Sequence, residues 1–384
     1  MLVQPQHANW PPDCKAGCML AGQWQNFRVQ SVSPSEAQTL AVDWKILSDN
    51  ALQPAGYNAP ELILPLLTNL GSVKLITVRQ GPDLLLAFPA TNERLLTRTW
   101  DTPLTASGLP HVSEGLAEST IQALINAQNK PLLLKAIPTE GKFFDILKRH
   151  SAHFEIIEKW QRAALRPSGT YEDWLQNNFD QKRRKEFKRQ RSRLSEQGAL
   201  VLEKLKPNDD PKSYFEDLLA LESAGWKGKK GTAIVSKTKH VNALHQAVNA
   251  LNSSGKLRFW VLKFNGKAIA SLYAIVEGDQ AWLGKIAYDE SFAKYSPGVQ
   301  LILHCTESFF SEPHIKLVDS SAIPDHPMID RIWRDRIEMT TIVIGPASIN
   351  KTIFLRIVKL ERQWLYWRSL ARDFYYKLRG VKRS

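Results

Sequence analysis

Four short stretches of this 384-residue chain carry side chains whose types and spacing suit chemistry. The first is "YSPGVQL" (295–301), where a polar loop passes through Ser-Pro-Gly into an apolar run. Proline fits the first turn of a helix, so the N–H groups at 296–299 form the open, partly positive end of one, and glycine lets a ligand come close to the backbone. Ser296, Gly298 and Val299 are therefore the expected contacts for an anion, against the plainer reading of a tightly capped core helix. The second is "ESAGWKGKKGTAI" (222–234). Here Trp226 offers a flat face for a sugar or base, Lys227 adds a cation, and the glycines allow the loop to close over a substrate. The third, "DHPMIDRIWRDR" (325–336), gathers Asp325, His326, Arg331, Trp333 and Arg336 beyond a strand ending at Asp319, and in α/β sheets ligands collect beyond the carboxyl ends of strands. The fourth is "AWLGKIAY" (281–288), in which Gly284 interrupts a run of large side chains. It marks either a bulge or a place where another side chain needs room.

Metal chemistry has little to stand on. Cys14 and Cys18 are four residues apart, but no second Cys/His pair follows at zinc-site distance and Cys305 is remote, so three reduced thiols and no metal are expected. The N-terminus lacks the basic and apolar regions of a signal peptide, and no apolar run reaches the roughly 18 residues that span a bilayer. A cytoplasmic protein is expected, free or peripheral at the inner face of the membrane. Its net charge of +13 is concentrated in two places. Residues 181–193 carry eight basic side chains and one acidic, residues 351–384 carry ten and two, and the remainder nets about −2. Two basic elements on a near-neutral globule imply an anionic partner at defined places, such as a membrane surface.

The elements that must position these residues follow from periodicity and punctuation. Thr170 and Asp173 have capping-box spacing, so a helix is expected from about 171 carrying the basic run toward Gly198. A strand at 199–205, helices at 211–224 and 240–252, and three strands joined at Asn265-Gly266 and Gly278-Asp279 come next. A helix at 297–311, strands at 315–319 and 340–345, and a short helix near 327–335 complete the half. The first half repeats the order more loosely: helices near 36–47 and 59–70, a hairpin, a helix at 115–128, a strand "PLLLKAI", a helix from 142 and a strand near 153–158. In the last segment Ile353, Ile357, Leu360, Trp364, Trp367, Ala371, Phe374 and Leu378 recur at alternating spacings of four and three. That seam must be covered by the protein's own body, by another helix or by a membrane interface.

The order of elements resembles the Gcn-five-related N-acetyltransferase (GNAT) fold, and the two halves together resemble the tandem arrangement of Fem-type peptidyltransferases and of CelD-like acetyltransferases associated with bacterial exopolysaccharide synthesis. The basic helix after Trp174, "LESAGWKGKKGTAI", "YSPGVQL" and "DHPMIDRIWRDR" are the stretches most similar to the CelD-like group. The resemblance implies an α/β protein of two tandem GNAT-like domains of mixed sheets flanked by helices. Its expected bounds are a degenerate domain at 1–165, an acyltransferase domain at 166–346 and a basic amphipathic helix at 347–384. It also implies acetyl-CoA as donor, its pantetheine arm lying where the fourth strand parts from the fifth, and an amino group of a sugar or cell-envelope precursor as acceptor. A Fem-type transferase using aminoacyl-tRNA and a non-catalytic membrane assembly factor are the alternatives. The loop at 295–299 departs from the usual GNAT pattern in having one glycine and a proline. Acyl transfer needs a neutral amine, a polarised thioester carbonyl and a proton for the thiolate. A strand N–H among Lys285, Ile286 and Ala287 could serve the carbonyl, Glu222 or Asp319 could be the base, and Tyr288 or His326 the acid.

Overall fold

The computed structural model describes residues 27–378 except 72, 208, 226–230 and 232, with side chains in the last helix described as far as 371. In the first half the order is β1 (Phe27–Val32), α1 (Pro34–Thr39), α2 (Ala41–Asp49), α3 (Pro60–Leu70), β2 (Lys74–Gln80), β3 (Asp83–Asn92), β4 (Thr97–Thr99), β5 (His111–Val112), α4 (Ala117–Asn126), β6 (Leu132–Pro138), α5 (Lys142–His150) and β7 (His153–Leu165). The second half runs α6 (Tyr171–Asn178), α7 (Gln181–Ser195), β8 (Leu200–Lys204), α8 (Lys212–Ala224), α9 (Thr238–Ser253), β9 (Leu257–Phe264), β10 (Lys267–Glu277), β11 (Gln280–Tyr288), α10 (Pro297–Phe310), β12 (Leu317–Asp319) and β13 (Asp335–Gly345), and α11 (Lys351–Leu378) follows. The fold is mixed α/β: one large mixed sheet flanked by helices, with a long helix at the C-terminal end.

Local chemistry explains most of these elements. Asn265 and Gly266 both take positive φ, as a two-residue hairpin with the twist of its strands requires. The stretch from Tyr171 through the basic run forms two helices where one was expected, because Asp180 breaks the chain and caps α7 by accepting the Arg183 N–H. Along β10 alternate residues serve opposite layers: Tyr273 and Ile275 join the cluster of α3, α8 and α9, while Leu272, Ala274 and Val276 join that of α7 and α10.

The halves do not form separate sheets. The strand order is β1-β2-β3-β4-β6-β13-β7-β12-β11-β10-β9-β8, so β13 enters the first half between β6 and β7, and β7 enters the second between β13 and β12. β13 pairs along its whole length with β7, from Asp335↔Ala164 to Gly345↔His153. A buried polar cluster, invisible in the sequence, ties the same halves together elsewhere. The indole N–H of Trp44 donates to His111 Nδ1 (3.1 Å), which leaves His111 Nε2 to donate to Glu277 (2.9 Å). Glu277 also accepts from Ser48 (2.6 Å), the Ala55 N–H (2.7 Å) and Lys256 (3.1 Å). Burial alone would raise the Glu277 carboxyl, but His111, Lys256 and Ser48 outweigh it and hold it far below the ordinary carboxylate range.

The last helix docks through a strip next to the expected one. Phe354, Ile357 and Val358 are buried against Leu96, Leu133 and Val343. Among the seam residues whose side chains are described, Ile357 is covered and Ile353, Leu360, Trp364, Trp367 and Ala371 are exposed; Phe374 and Leu378 lie outside them.

Candidate functional site

A gap opens inside the sheet of the second half. β11 and β12 run parallel for three pairs, Gln280↔Leu317, Ala281↔Val318 and Trp282↔Asp319, and there β12 ends. β11 continues to Tyr288 with β10 as its neighbour, so among the described residues its other edge has no strand across it from Leu283 onward. Alternate N–H and C=O groups of that edge lie in the gap. The register with β10 jumps between Leu272↔Ile286 and Ala274↔Leu283, leaving Gly284 and Lys285 opposite Tyr273. This is a bulge, and a side chain at Gly284 would overlap the Tyr273 ring, so both sequence readings of that glycine hold. The root of the gap is closed by Tyr57 from the first half, whose hydroxyl donates to the Leu283 carbonyl (2.8 Å). Burial pushes that phenol up to about 12, so it stays a donor.

At the far end of the free edge lies the start of α10. Ser296 is left-handed (φ 52°, ψ 53°), Pro297 takes the first turn, and the N–H groups of Gly298 and Val299 fall where a helix has no acceptor for them. Tyr288, the last residue of β11, and the Met328 sulfur both lie 3.2 Å from where a side chain at Gly298 would begin, so they roof this turn. Beside it, Arg189 and Arg193 of α7 with Lys294 line an open groove of about 370 Å³, in which Glu186 and Glu196 also stand and Glu186 pairs with Arg189 (2.6 Å).

Residues 181–321 match the family model described as an acetyltransferase (GNAT) domain. The fold is a GNAT-type acyltransferase fold. Over most of the chain it is similar to a C-terminal domain assigned to a lysylphosphatidylglycerol synthetase from Agrobacterium fabrum (TM-score 0.53, 10% identity, 85% of this chain and 96% of that one). It is also similar to FemX (TM-score 0.52, 9% identity, 86% and 100%) and to a conserved protein from Bacteroides thetaiotaomicron (TM-score 0.50, 11% identity, 83% and 100%). At these identities the likeness is one of fold. A search of curated proteins finds no match to the chain.

Within the GNAT frame the expected residues separate into three groups. Lys285, Ile286, Ala287, Tyr288, Ser296, Gly298 and Val299 do border one gap and the helix start beyond it. Glu222 and Asp319 are at hand but buried and committed to the fold. Glu222 accepts the Ile234 N–H (2.8 Å) and lies 3.6 Å from the Lys285 ammonium. Asp319 accepts from Arg162 (2.9 Å) and the Ser321 N–H (2.7 Å), and Arg162 also donates to the Ala106 carbonyl. The 325–336 cluster, by contrast, does not assemble. The short helix expected near 327–335 is a three-residue turn at Ile329–Arg331, because Trp333 drops into the core and gives its indole N–H to Thr306 (2.9 Å). With no surface exposed, Trp333 has no face to offer a substrate. Arg336 donates to the Trp333 and Asp335 carbonyls, and His326 holds the 329–331 turn by accepting the Met328 and Ile329 N–H groups. Asp325 is exposed in left-handed backbone. Trp226 and Lys227, and Cys14 and Cys18 with them, lie outside the described residues.

Tyr57, Arg162 and Met328 escaped sequence reasoning. Arg162 left a faint signal, a cation beside "AAL" in a strand, whereas Tyr57 left none, since its partner Leu283 is far along the chain.

Proposed function

We propose that the second half is an N-acyltransferase of the CelD-like kind, acting in the cytosol and moving an acetyl group from acetyl-CoA to an amino group on a sugar or other cell-envelope precursor. The observation that carries this reading is the β11 edge beyond the Gly284–Lys285 bulge, which has no strand across it among the described residues and ends at the open N-terminus of α10. N–H groups at Gly298 and Val299 would hold the donor's diphosphate, and those of β11 between Lys285 and Ala287 the thioester carbonyl as its oxygen gains charge. The neutral amine attacks that carbon, the C–S bond breaks, and Tyr288, at the junction of edge and helix, is placed to protonate the departing thiolate. With Glu222 and Asp319 held by cations and backbone N–H groups, their role in this scheme is to fix Lys285 and Arg162, and the amine's proton leaves through water. The first half supplies walls, with Tyr57 at the root and Arg162 behind Asp319.

One observation favours a second reading. The eight basic side chains of residues 181–193, on the helix that packs beside the 290–295 turn, would suit a longer polyanion, as in a Fem-type transfer from aminoacyl-tRNA. Calorimetric titration distinguishes the two. Micromolar binding of acetyl-CoA, weakened at least tenfold by Gly298→Glu, is the expected result. Unchanged affinity in a folded Gly298→Glu protein removes the loop from the site. Salt-sensitive binding of charged tRNA without acetyl-CoA binding establishes the second reading, and binding of neither leaves a non-catalytic assembly factor.

A further inference from the structure

The outer strip of α11 is a large apolar surface that stays mostly open among the described residues. Leu360 is 51%, Trp364 46%, Tyr366 60% and Trp367 66% exposed, and Ile353 and Leu370 extend the strip at either end. The helix is fixed to the body by its other side: Phe354, Ile357 and Val358 are buried, Arg98 pairs with Glu361, Arg362 with Glu155 and Arg368 with Asp101. The strip is therefore presented outward by a docked helix.

Charge decides what fits it. From 351 to 384 the chain has ten basic and two acidic residues, so a second copy would bring like charge against like. The partner has to be anionic and yet receive apolar side chains. Trp and Tyr, each an apolar body with a polar tip, suit a boundary between wet and apolar phases. Trp364 is held between the guanidinium groups of Arg98, paired with Glu93 and Glu361, and Arg368, paired with Asp101, so its ring is fixed in place while 46% of the residue stays exposed. No helix among the described residues is long and apolar enough to cross a membrane, so the contact lies in the interface.

We infer that α11 lays Leu360, Trp364, Trp367 and their neighbours into the surface of an anionic phospholipid bilayer, holding the protein at the membrane by a device separate from the acyl-transfer gap. Vesicle sedimentation of the full chain tests this. Phosphatidylcholine vesicles containing phosphatidylglycerol should carry the protein down and pure phosphatidylcholine should not, and high salt should release it as the Debye length falls from about 10 Å to about 3 Å between 0.1 and 1 M. The combined L360S, W364S and W367S variant should partition at least tenfold more weakly at unchanged circular dichroism and melting temperature. Should that variant fold poorly, Arg356→Glu with Lys359→Glu, at exposed positions flanking the strip, should produce the same loss. The inference is overturned if wild type ignores anionic vesicles, or if folded variants bind as well as wild type. It also falls if reversing Lys182, Lys185 and Lys188 on α7 alone abolishes binding, or if the strip proves to mediate a dimer that the serine variant dissociates. Acetyl-CoA titration of the same serine variant should be unaltered, so failure here and failure of the acyltransferase reading are separately visible.

Discussion

Each half brings two strands into a short parallel register and then lets them part, and the two partings end differently. In the first half β4 meets β6 at Thr97↔Leu132 and Arg98↔Leu133. The chain then returns across the opening, so that the Gly108 N–H donates to the Lys135 carbonyl (2.9 Å), the Ser107 hydroxyl to the Ala136 carbonyl (2.9 Å), and the Lys135 N–H to Thr99 (3.0 Å). In the second half the matching edge of β11 receives the Tyr57 hydroxyl at its root, and no strand lies across it among the described residues. Equivalent topology thus yields a sealed seam in one place and a gap in the other. What separates them is whether a nearby loop satisfies the free edge, and this makes the second half the place to seek chemistry.

The comparison can be attacked at its foundation, the rigidity of the joined halves. Glu277→Ala takes from His111 its anion and leaves Lys256 with Glu61 alone, and should cost about 3 kcal/mol, with urea unfolding still a single transition because the halves share a core. Two separated transitions would mean the halves are energetically independent. The same group sets a pH limb. Its carboxyl is depressed in the folded state, so the unfolded chain takes up the proton first; the stabilisation is full above about pH 4, the ordinary carboxylate range, and fades as pH falls. Glu277→Gln should flatten the acid side of a stability–pH curve measured by denaturant titration.

The two glycines facing these openings sharpen the contrast at the next level. A Cβ on Gly108 would sit 2.6 Å from Thr99 Oγ1 and 2.7 Å from the Lys135 carbonyl oxygen, so Gly108→Ala should cost about 1–3 kcal/mol in thermal or urea unfolding and leave donor affinity intact. Gly284→Ala collides with Tyr273 at similar cost, but it also distorts the bulge, and calorimetry should show donor binding falling. Equal effects of the two substitutions on donor binding would erase the distinction between the openings. The smallest effect belongs to Tyr57→Phe, which removes one hydrogen bond to Leu283 and should lower stability by about 1 kcal/mol while leaving donor binding within a few fold.

Much of the second half was readable because its signals are local. Asn265-Gly266 marks a hairpin, Pro297 marks a helix start, and the apolar runs of β9, β10 and β11 mark buried strands; all stand where expected. Long-range facts were not readable. Nothing near Met339 announces that its neighbours are Pro138 and Trp160, since sheet order is settled by closure of the whole core. The 325–336 cluster misled for a related reason: Trp333 beside Asp335 and Arg336 looks amphipathic and polar, yet the space under Thr306 takes the indole. The heptad-like seam of α11 misled by one helical position, as the body offered a pocket to Phe354 and Val358 and left Ile353 and Trp364 outside. Of the candidate site, the open helix start at Ser296–Val299 and the bulge at Gly284 could be anticipated from residue types. The pairing of Glu222 with Lys285 and of Asp319 with Arg162 could not.

The reciprocal exchange of β7 and β13 has a consequence for the protein's birth. As the chain leaves the ribosome β7 is made early, but both of its sheet neighbours, β12 and β13, come almost last. Until then the emerged first half has no β13 to fill the slot between β6 and β7, so it cannot complete a domain of its own and must wait with bare strand edges. A chain stalled shortly after β11 should therefore be protease-sensitive throughout and a natural client of chaperones, while release of the last fifty residues should bring both halves to resistance together.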